Sequence, residues 1–143
     1  MAVRVLDKAA VQPRSRFNLS RAFTIPRSPG RVTIATIRLR IPANSTPNRV
    51  ELVATVGVRG VRGIAQVLFR IFRDGREIFN TRQGIESDPE SEVNYVVTFQ
   101  GIDRNVSTGN HVYTVTAENL TANTRADVVG PISFSGLAVR TRS

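Results

Sequence analysis

Residues 65 to 78 read Ala-Gln-Val-Leu-Phe-Arg-Ile-Phe-Arg-Asp-Gly-Arg-Glu-Ile, an apolar run that ends in a turn signal. A short run of this kind, rich in β-branched and aromatic residues, predicts a buried strand. The pair Asp74-Gly75 is typical of a two-residue hairpin turn, because both residue types tolerate positive φ. The stretch therefore predicts a β-hairpin whose second strand covers residues 77 to 81.

The same alternation with a period of two runs through most of the chain, and no helical periodicity competes with it. The clearest rows are Val50, Leu52, Ala54 and Val56, then Val93, Tyr95, Val97 and Phe99, then Tyr113, Val115 and Ala117. About eight or nine strands separated by turn signals predict an all-β protein, a single-domain β-sandwich that is most simply a jelly roll.

Four further segments each carry a prediction of their own. The first is residues 17 to 25, where Phe17, Leu19, Phe23 and Ile25 predict a first core strand that ends at Pro26. In residues 31 to 41 the apolar positions change parity, which predicts a bulge near Ala35 with Arg38 and Arg40 outside. The glycines of residues 57 to 63 interrupt the row that runs from Val50 to Val56. Gly130-Pro131 splits a last pair of predicted strands, residues 126 to 129 and 132 to 139.

Length and composition limit the chemistry that the chain can perform. At 143 residues it has the size of one domain, which buries roughly two-thirds of its unfolded surface. Cysteine is absent, which excludes disulfides, thiolate metal sites and a cysteine nucleophile. The start of the chain lacks the apolar core of a signal peptide, and no apolar run reaches the length of a membrane span. We therefore expect synthesis in the cytosol and no membrane partner.

Charge is distributed unevenly along the chain, whose formal net charge is +9. Residues 1 to 73 hold fourteen of the twenty basic residues but only Asp7 and Glu51 as acids, which makes this half +12 and the remainder −3. Such a split is useful to a subunit that meets copies of itself front to back. Alternatively, the two halves interleave in the fold and the asymmetry disappears in space.

The hairpin of residues 66 to 78 and the later strand Val112-Tyr113-Thr114-Val115-Thr116-Ala117-Glu118 resemble a known family. The chain is similar to the small jelly-roll proteins of the spore surface in endospore-forming bacteria, the exosporium and endospore-appendage subunits. The resemblance covers about residues 17 to 139. It implies a self-assembling subunit of a coat, fibre or appendage, located extracellularly or on the spore surface, with no enzymatic role. Appendage subunits often carry cysteines in a terminal arm, whereas this chain has none, so any fibre is held non-covalently.

The N-terminal segment is a candidate connector between subunits. We divide the chain into an extended N-terminal arm, residues 1 to 16, and a jelly-roll domain, residues 17 to 143. In the arm, Val3, Val5, Leu6 and Val11 have the apolar character of a strand that a neighbour accepts at its sheet edge. Pairing of the arm within its own sheet, or disorder, is the alternative.

The acidic residues Glu86, Asp88, Glu90 and Glu92 stand at alternate positions and form the second candidate site. On an extended backbone their carboxylates point to one side, as a hard-cation site requires, although the spacing lacks the EF-hand pattern. The alternative is a solvated loop or a docking patch for arginines of a neighbour, and Arg38 and Arg40 are candidate partners.

Other motifs do not indicate a reaction. The spacing of Gly57, Gly60 and Gly63 lacks the residues of a phosphate-binding loop, so we interpret it as a connection between strands. His111 shares the parity of Tyr113 and Val115, which predicts a packed strand residue rather than a general base. We therefore expect no enzyme, no cofactor and no catalytic residue.

These observations favour a structural subunit that self-assembles non-covalently into a helical homopolymer, by donation of the N-terminal strand. The competing hypothesis is a phage or virus-like capsid or decoration protein. The many arginines leave open a third possibility, binding of nucleic acid without sequence specificity. A carbohydrate-binding β-module is a further alternative.

Overall fold

Two antiparallel sheets face each other in the computed structural model, which describes residues 4 to 90 and 92 to 141. Within these residues there are nine strands, together with a short 3-10 helix at Leu19–Arg21. The strands are β1 (Arg4–Arg14), β2 (Phe23–Thr24), β3 (Val32–Ile41), β4 (Asn48–Arg62), β5 (Ile64–Arg73), β6 (Arg76–Glu86), β7 (Asn94–Arg104), β8 (Gly109–Asn119) and β9 (Arg125–Arg140).

The order of the strands is that of a jelly roll. Sheet A has the order β1-β9-β4-β7, and the two-residue strand β2 also pairs with β9. Sheet B has the order β3-β8-β5-β6. From β2 onward every connection except the β5–β6 hairpin crosses from one sheet to the other. The predicted β-sandwich is confirmed, and the connections that pass between its two sheets fit the jelly-roll prediction.

Strands from the first half of the chain pair only with strands from the second half. β1 and β2 pair with β9, β3 pairs with β8, β4 pairs with β7 and β9, and β5 pairs with β6 and β8. The chain is therefore a long two-stranded ribbon folded into a sandwich. The ribbon turns back on itself at Asp74 and Gly75, whose positive φ angles of 51° and 83° fit the predicted hairpin turn.

Side chains at alternate positions fill the space between the sheets. The predicted inward row of β4, Val50, Leu52, Ala54 and Val56, is fully buried. From sheet B, Phe69 and Tyr113 are also fully buried, and Phe69 lies 5.3 Å from Phe99 of sheet A between ring centroids. Burying one large apolar side chain stabilises a fold by about 1.5–3 kcal/mol, so this core is the main source of stability.

The predicted bulge in β3 is present. The register between β3 and β8 shifts between Thr33 and Ala35, and Ile34 and Ala35 are consecutive buried residues. The extra residue restores the inward parity of the strand beyond it. As a result Arg38 and Arg40 lie on the exposed outer face of sheet B, as the sequence predicted.

The predicted first core strand, residues 17 to 25, is wrong for most of its length. Phe17 and Leu19 are 46% and 53% exposed, and the chain turns through the 3-10 helix there. The cause is local, because the side chain of Asn18 accepts a hydrogen bond from the Ser20 N–H and caps this turn. Only β2 and the buried Ile25 keep the predicted core role.

Two glycine segments that looked like strand breaks lie inside continuous strands. β4 continues through Gly57 and Gly60, and β9 continues through Gly130-Pro131. A Cβ atom at Gly57 would overlap the carbonyl oxygen of Gly130, and one at Gly60 would overlap that of Glu86. These glycines therefore permit close approach of two backbones.

Asp74 connects the tip of the hairpin to β8. Its carboxylate accepts hydrogen bonds from the Val112 N–H at 2.8 Å and contacts His111 Nδ1 at 2.6 Å. Burial, the largest effect on Asp74, acts to raise its pKa, but these hydrogen bonds and the charges of His111 and Arg73 outweigh it. The pKa of Asp74 therefore lies below its ordinary value.

We expect Gly57→Ala to destabilise the fold by about 2 kcal/mol or more, since the new methyl group displaces backbone rather than a mobile side chain. Gly84→Ala is the matched control, because its Cβ would lie 3.1 Å from the end of the flexible Gln66 side chain. Urea unfolding of both variants measures the difference. Equal stability of the two variants would contradict the close approach of β4 and β9.

We expect Asp74→Asn to reduce the loss of stability in acid. A carboxylate whose pKa is lowered by folding stabilises the native state above its unfolded pKa, and this contribution disappears as the pH falls through the folded pKa. Wild type should therefore lose more stability than the variant between about pH 5 and pH 3. Asparagine tolerates the positive φ of this position. Parallel urea midpoints for both proteins across this range would exclude the contribution.

Candidate functional site

The N-terminal segment lies in its own sheet. β1 runs antiparallel to β9 from the pair Arg4↔Arg140 to the pair Arg14↔Ile132. Leu6 and Val11 pack against the core, whereas Val5 is exposed. The structure therefore has an edge strand where an extended arm of residues 1 to 16 was expected, because the apolar side of β1 covers the rim of the core. Val3 lies outside the described residues.

The two oppositely charged halves of the chain interleave, which is the second alternative that the sequence left open. The basic half ends at Arg73, one residue before the tip of the ribbon, and each of its strands lies beside a strand of the acidic half. The charge split along the sequence therefore does not divide the sandwich into a basic sheet and an acidic sheet.

Buried acids of the second half meet arginines of the first half. Asp103 accepts hydrogen bonds from Arg73 at 2.7 and 2.8 Å and from the Tyr113 hydroxyl at 2.9 Å. The hydrogen bond to Asp103 raises the pKa of Arg73, and burial, reinforced by Asp103, raises the pKa of Tyr113 far above its usual range. Both groups therefore keep their protons, and the cluster holds the two sheets together rather than exchanging protons.

Glu118 forms a second cluster of this kind on sheet B. Its carboxylate accepts a hydrogen bond of 2.6 Å from the Ser28 hydroxyl and lies 3.2 Å from Arg70 Nε. Arg70 Nε also lies 3.3 Å from Glu77. Glu118 is buried. Its contacts with Ser28 and Arg70 offset the cost of removing a carboxylate from water.

His111 is a packed strand residue, as its parity predicted. Its side chain is 9% exposed. One ring nitrogen contacts Asp74 and the other lies 2.7 Å from the carbonyl oxygen of Ser107. Both nitrogens are thus engaged in contacts that orient the hairpin tip.

The acidic residues lie around the connection between β6 and β7. Glu86, Glu90 and Glu92 are exposed, and Asp88 is half-buried. The carboxylate of Asp88 accepts a hydrogen bond from the Glu90 N–H, which closes a local turn. Across residues 4–90 and 92–141, no group of three acidic or histidine side chains converges as a metal site requires. The arrangement of these carboxylates therefore does not support a hard-cation site.

Arg38 and Arg40 lie at the other end of the sandwich from these acids. Arg40 pairs with Asn110 near the start of β8, whereas Glu86 pairs with Ile64 at the start of β5. The structure does not bring the two candidate groups together within one molecule. A contact between them would have to join two copies.

Two surface features were missed by sequence reasoning. The first is a concavity of about 270 Å³ at the end of β1, lined by Pro13, Arg14, Ser15, Arg16, Asn18 and Arg21. Its signal in the sequence is the Arg14-Ser15-Arg16 cluster, but Arg21 joins only because the 3-10 helix turns the chain back. Within the described part of the chain, these three arginines form no ion pair.

The second feature is a shallow groove of about 610 Å³ on the outer face of sheet A. Ala10, Ser135, Val53 and Gln100 form one row across the four strands here, and Ser133, Thr55 and Thr98 form the next. Neither row contains a charged residue. Lys8 and Glu51 lie in the row on one side of this uncharged strip.

In the part of the chain that the structure describes, no helix is both long and apolar enough to span a membrane.

Comparison with known proteins identifies a likeness of fold. No protein-family model matches the sequence, and no curated protein matches it either. The chain is similar to a chain of the infectious bursal disease virus Gt strain, with a TM-score of 0.54 and 8% identity over 95% of this chain and 38% of that chain. For T=1 particles derived from infectious bursal virus the TM-score is 0.51, with 7% identity over 99% of this chain and 36% of that one.

A third similar structure is dimeric latent PorU from Porphyromonas gingivalis, with a TM-score of 0.49 and 10% identity over 95% of this chain and 13% of PorU. The chain thus spans little more than a third of the viral chains and a smaller part of PorU. At such identities the comparisons show a likeness of fold alone, that of a β-sandwich.

Proposed function

We propose that this chain is a non-enzymatic structural subunit that assembles with copies of itself. The observation that carries the proposal is the uncharged strip on the outer face of sheet A, in a protein with a formal net charge of +9. Val53 is exposed at its centre, and Ile102 and Val96 are exposed on β7 beside it. Exposed apolar residues that lie near one another on one face of a sheet are typical of protein contacts.

A closed shell is the form of assembly that we favour. The likeness of fold to chains of virus particles supports it. The resemblance to spore-surface proteins implies a fibre as one form of assembly, and a fibre built by strand donation would require β1 to leave its own β9 and uncover Leu6 and Val11. Donation therefore has a kinetic barrier, because β1 must detach before the β1 of a neighbour can replace it, and contact between intact sandwiches avoids this step.

Electron microscopy and light scattering of the purified protein at increasing concentration test this proposal. We expect closed particles, and we expect Val53→Lys to prevent them because it places charge at the centre of the strip. Ile64→Lys, which changes an exposed apolar residue of sheet B, is the matched control and should leave assembly intact. Long filaments would favour strand donation instead. A protein that remains monomeric at every concentration would contradict self-assembly altogether.

The arginine concavity supports a second candidate function, the binding of a polyanion such as nucleic acid. Arg14, Arg16 and Arg21 direct positive charge into one small space, and Arg14 also donates to the Arg21 carbonyl oxygen at 3.2 Å. A phosphate group in this space would relieve the mutual repulsion of the guanidinium groups. This binding would be independent of base sequence.

We expect the double substitution Arg16→Gln and Arg21→Gln to weaken binding of single-stranded DNA and to reduce its dependence on salt. The slope of log affinity against log salt should fall by about 0.7 for each lost phosphate contact. Arg38→Gln with Arg40→Gln is the control with the same change of charge. Equal effects of the two pairs would show that binding is spread over the whole basic surface.

A further inference from the structure

Besides the two-residue strand β2, the described part of the sandwich has four edge strands, β1 and β7 in sheet A and β3 and β6 in sheet B. An edge strand carries unpaired N–H and C=O groups and can pair with another chain. Folded proteins usually prevent this with bulges, prolines, charged side chains or covering loops. Comparing the four edges therefore shows which of them is open to a partner.

Three of the edges are protected. β1 contains two breaks in register and Pro13, which has no N–H to donate. The carboxylate of Asp7 in β1 accepts a hydrogen bond from the Arg40 N–H in β3, so these adjacent edges satisfy each other there. β6 has a register shift near its start and carries Glu77 and Arg82.

β7 is the least protected edge, because its only charged side chains, those of Asp103 and Arg104, lie at its C-terminal end. Its register with β4 is unbroken over eleven residues, from Arg59↔Asn94 to Arg49↔Arg104. It contains no proline or lysine. Val96 is 65% exposed and Ile102 is 47% exposed, both on the outer face. A long, regular edge with apolar side chains is the kind that pairs with another strand.

The hydrogen bonds of β7 show which groups are available. Gly60 N–H donates to the Val93 carbonyl oxygen, and Asn105 N–H donates to that of Asn48. In a regular antiparallel pair this places the odd-numbered residues of β7 in hydrogen-bonded pairs with β4. The even-numbered residues therefore direct their N–H and C=O groups away from β4. These residues are Asn94, Val96, Thr98, Gln100, Ile102 and Arg104.

We infer that β7 pairs antiparallel with β7 of a second copy, about a twofold axis at Phe99, and so joins two A sheets into one continuous sheet. The inference rests on the proposed self-assembly and names one of its contacts. Phe99 is the middle residue of β7, so this register uses the full strand. The available groups of Val96 then face those of Ile102 of the partner subunit, and Thr98 faces Gln100 of the partner subunit.

The side chains also favour this register. Val96 and Ile102 are exposed apolar residues, and the twofold pairing places Val96 of each subunit opposite Ile102 of the other. A shift of two residues in either direction would place Val96 opposite Gln100 or opposite Arg104. Because the same strand contributes both sides, the contact is isologous and closes on itself as a dimer.

Charge substitutions at the edge test the pairing. We expect Val96→Lys with Ile102→Lys to raise the dimer dissociation constant at least about tenfold, since like charges then lie opposite each other. Val96→Lys with Ile102→Glu should restore dimers relative to that variant, because lysine then faces glutamate across the axis. Ile64→Lys is the control, since it changes an exposed apolar residue of an interior strand in sheet B, and it should leave the dimer intact. Sedimentation velocity measures association, and circular dichroism confirms folding.

Cross-linking tests the register, and the chain has no cysteine of its own. Thr98→Cys and Gln100→Cys proteins should form disulfide-linked dimers when mixed, and much more slowly when each is oxidised alone. Efficient cross-linking of either protein by itself would contradict a twofold axis at Phe99.

The outcomes separate this inference from the proposed function. Assembly that proceeds unchanged after Val96→Lys with Ile102→Lys would overturn the β7 contact and leave self-assembly standing. A stable dimer that never forms larger particles would support the contact and contradict the shell. A wild-type protein that stays monomeric at all concentrations would overturn both.

Discussion

The structure depends on the antiparallel pairing of the first half of the chain with the second half. Each strand before Asp74 finds its partners only among strands after Gly75, so the register of the whole ribbon follows from one turn. A slip of one residue would turn every inward side chain outward. The hydrogen bonds between Asp74 and β8 fix the tip of the ribbon to a third strand and oppose such a slip.

This pairing also explains how a strongly basic half and an acidic half coexist in one domain. Arg73 reaches Asp103, and Arg70 reaches Glu118, because the ribbon and its folding place those strands side by side. Each of these buried carboxylates would be costly without its arginine. The excess of arginine that remains lies on the surface, where it gives the protein its net positive charge.

Local patterns allowed much of the fold to be predicted from the sequence. The inward row of β4, the bulge near Ala35 and the turn at Asp74 each depend on a few neighbouring residues. The pairing of β1 with β9 could not be predicted in this way, because the partner lies at the far end of the chain. The same holds for Gly57, whose role is to let Gly130 approach, and for the groove on sheet A. The arginine concavity needed the turn that Asn18 caps, which the alternation of Phe17 to Ile25 concealed.

The pairing of β1 with β9 also constrains the order in which the protein folds during synthesis. The hairpin of β5 and β6 is complete once about half of the chain has left the ribosome. Among the described strands β1 is made before all others, yet β9, with which it pairs, is made after all others. Until then the apolar side of β1 has no sheet to cover. Distant pairing of this kind slows folding and prolongs the exposure of unpaired strands, which are prone to aggregate until β9 is in place.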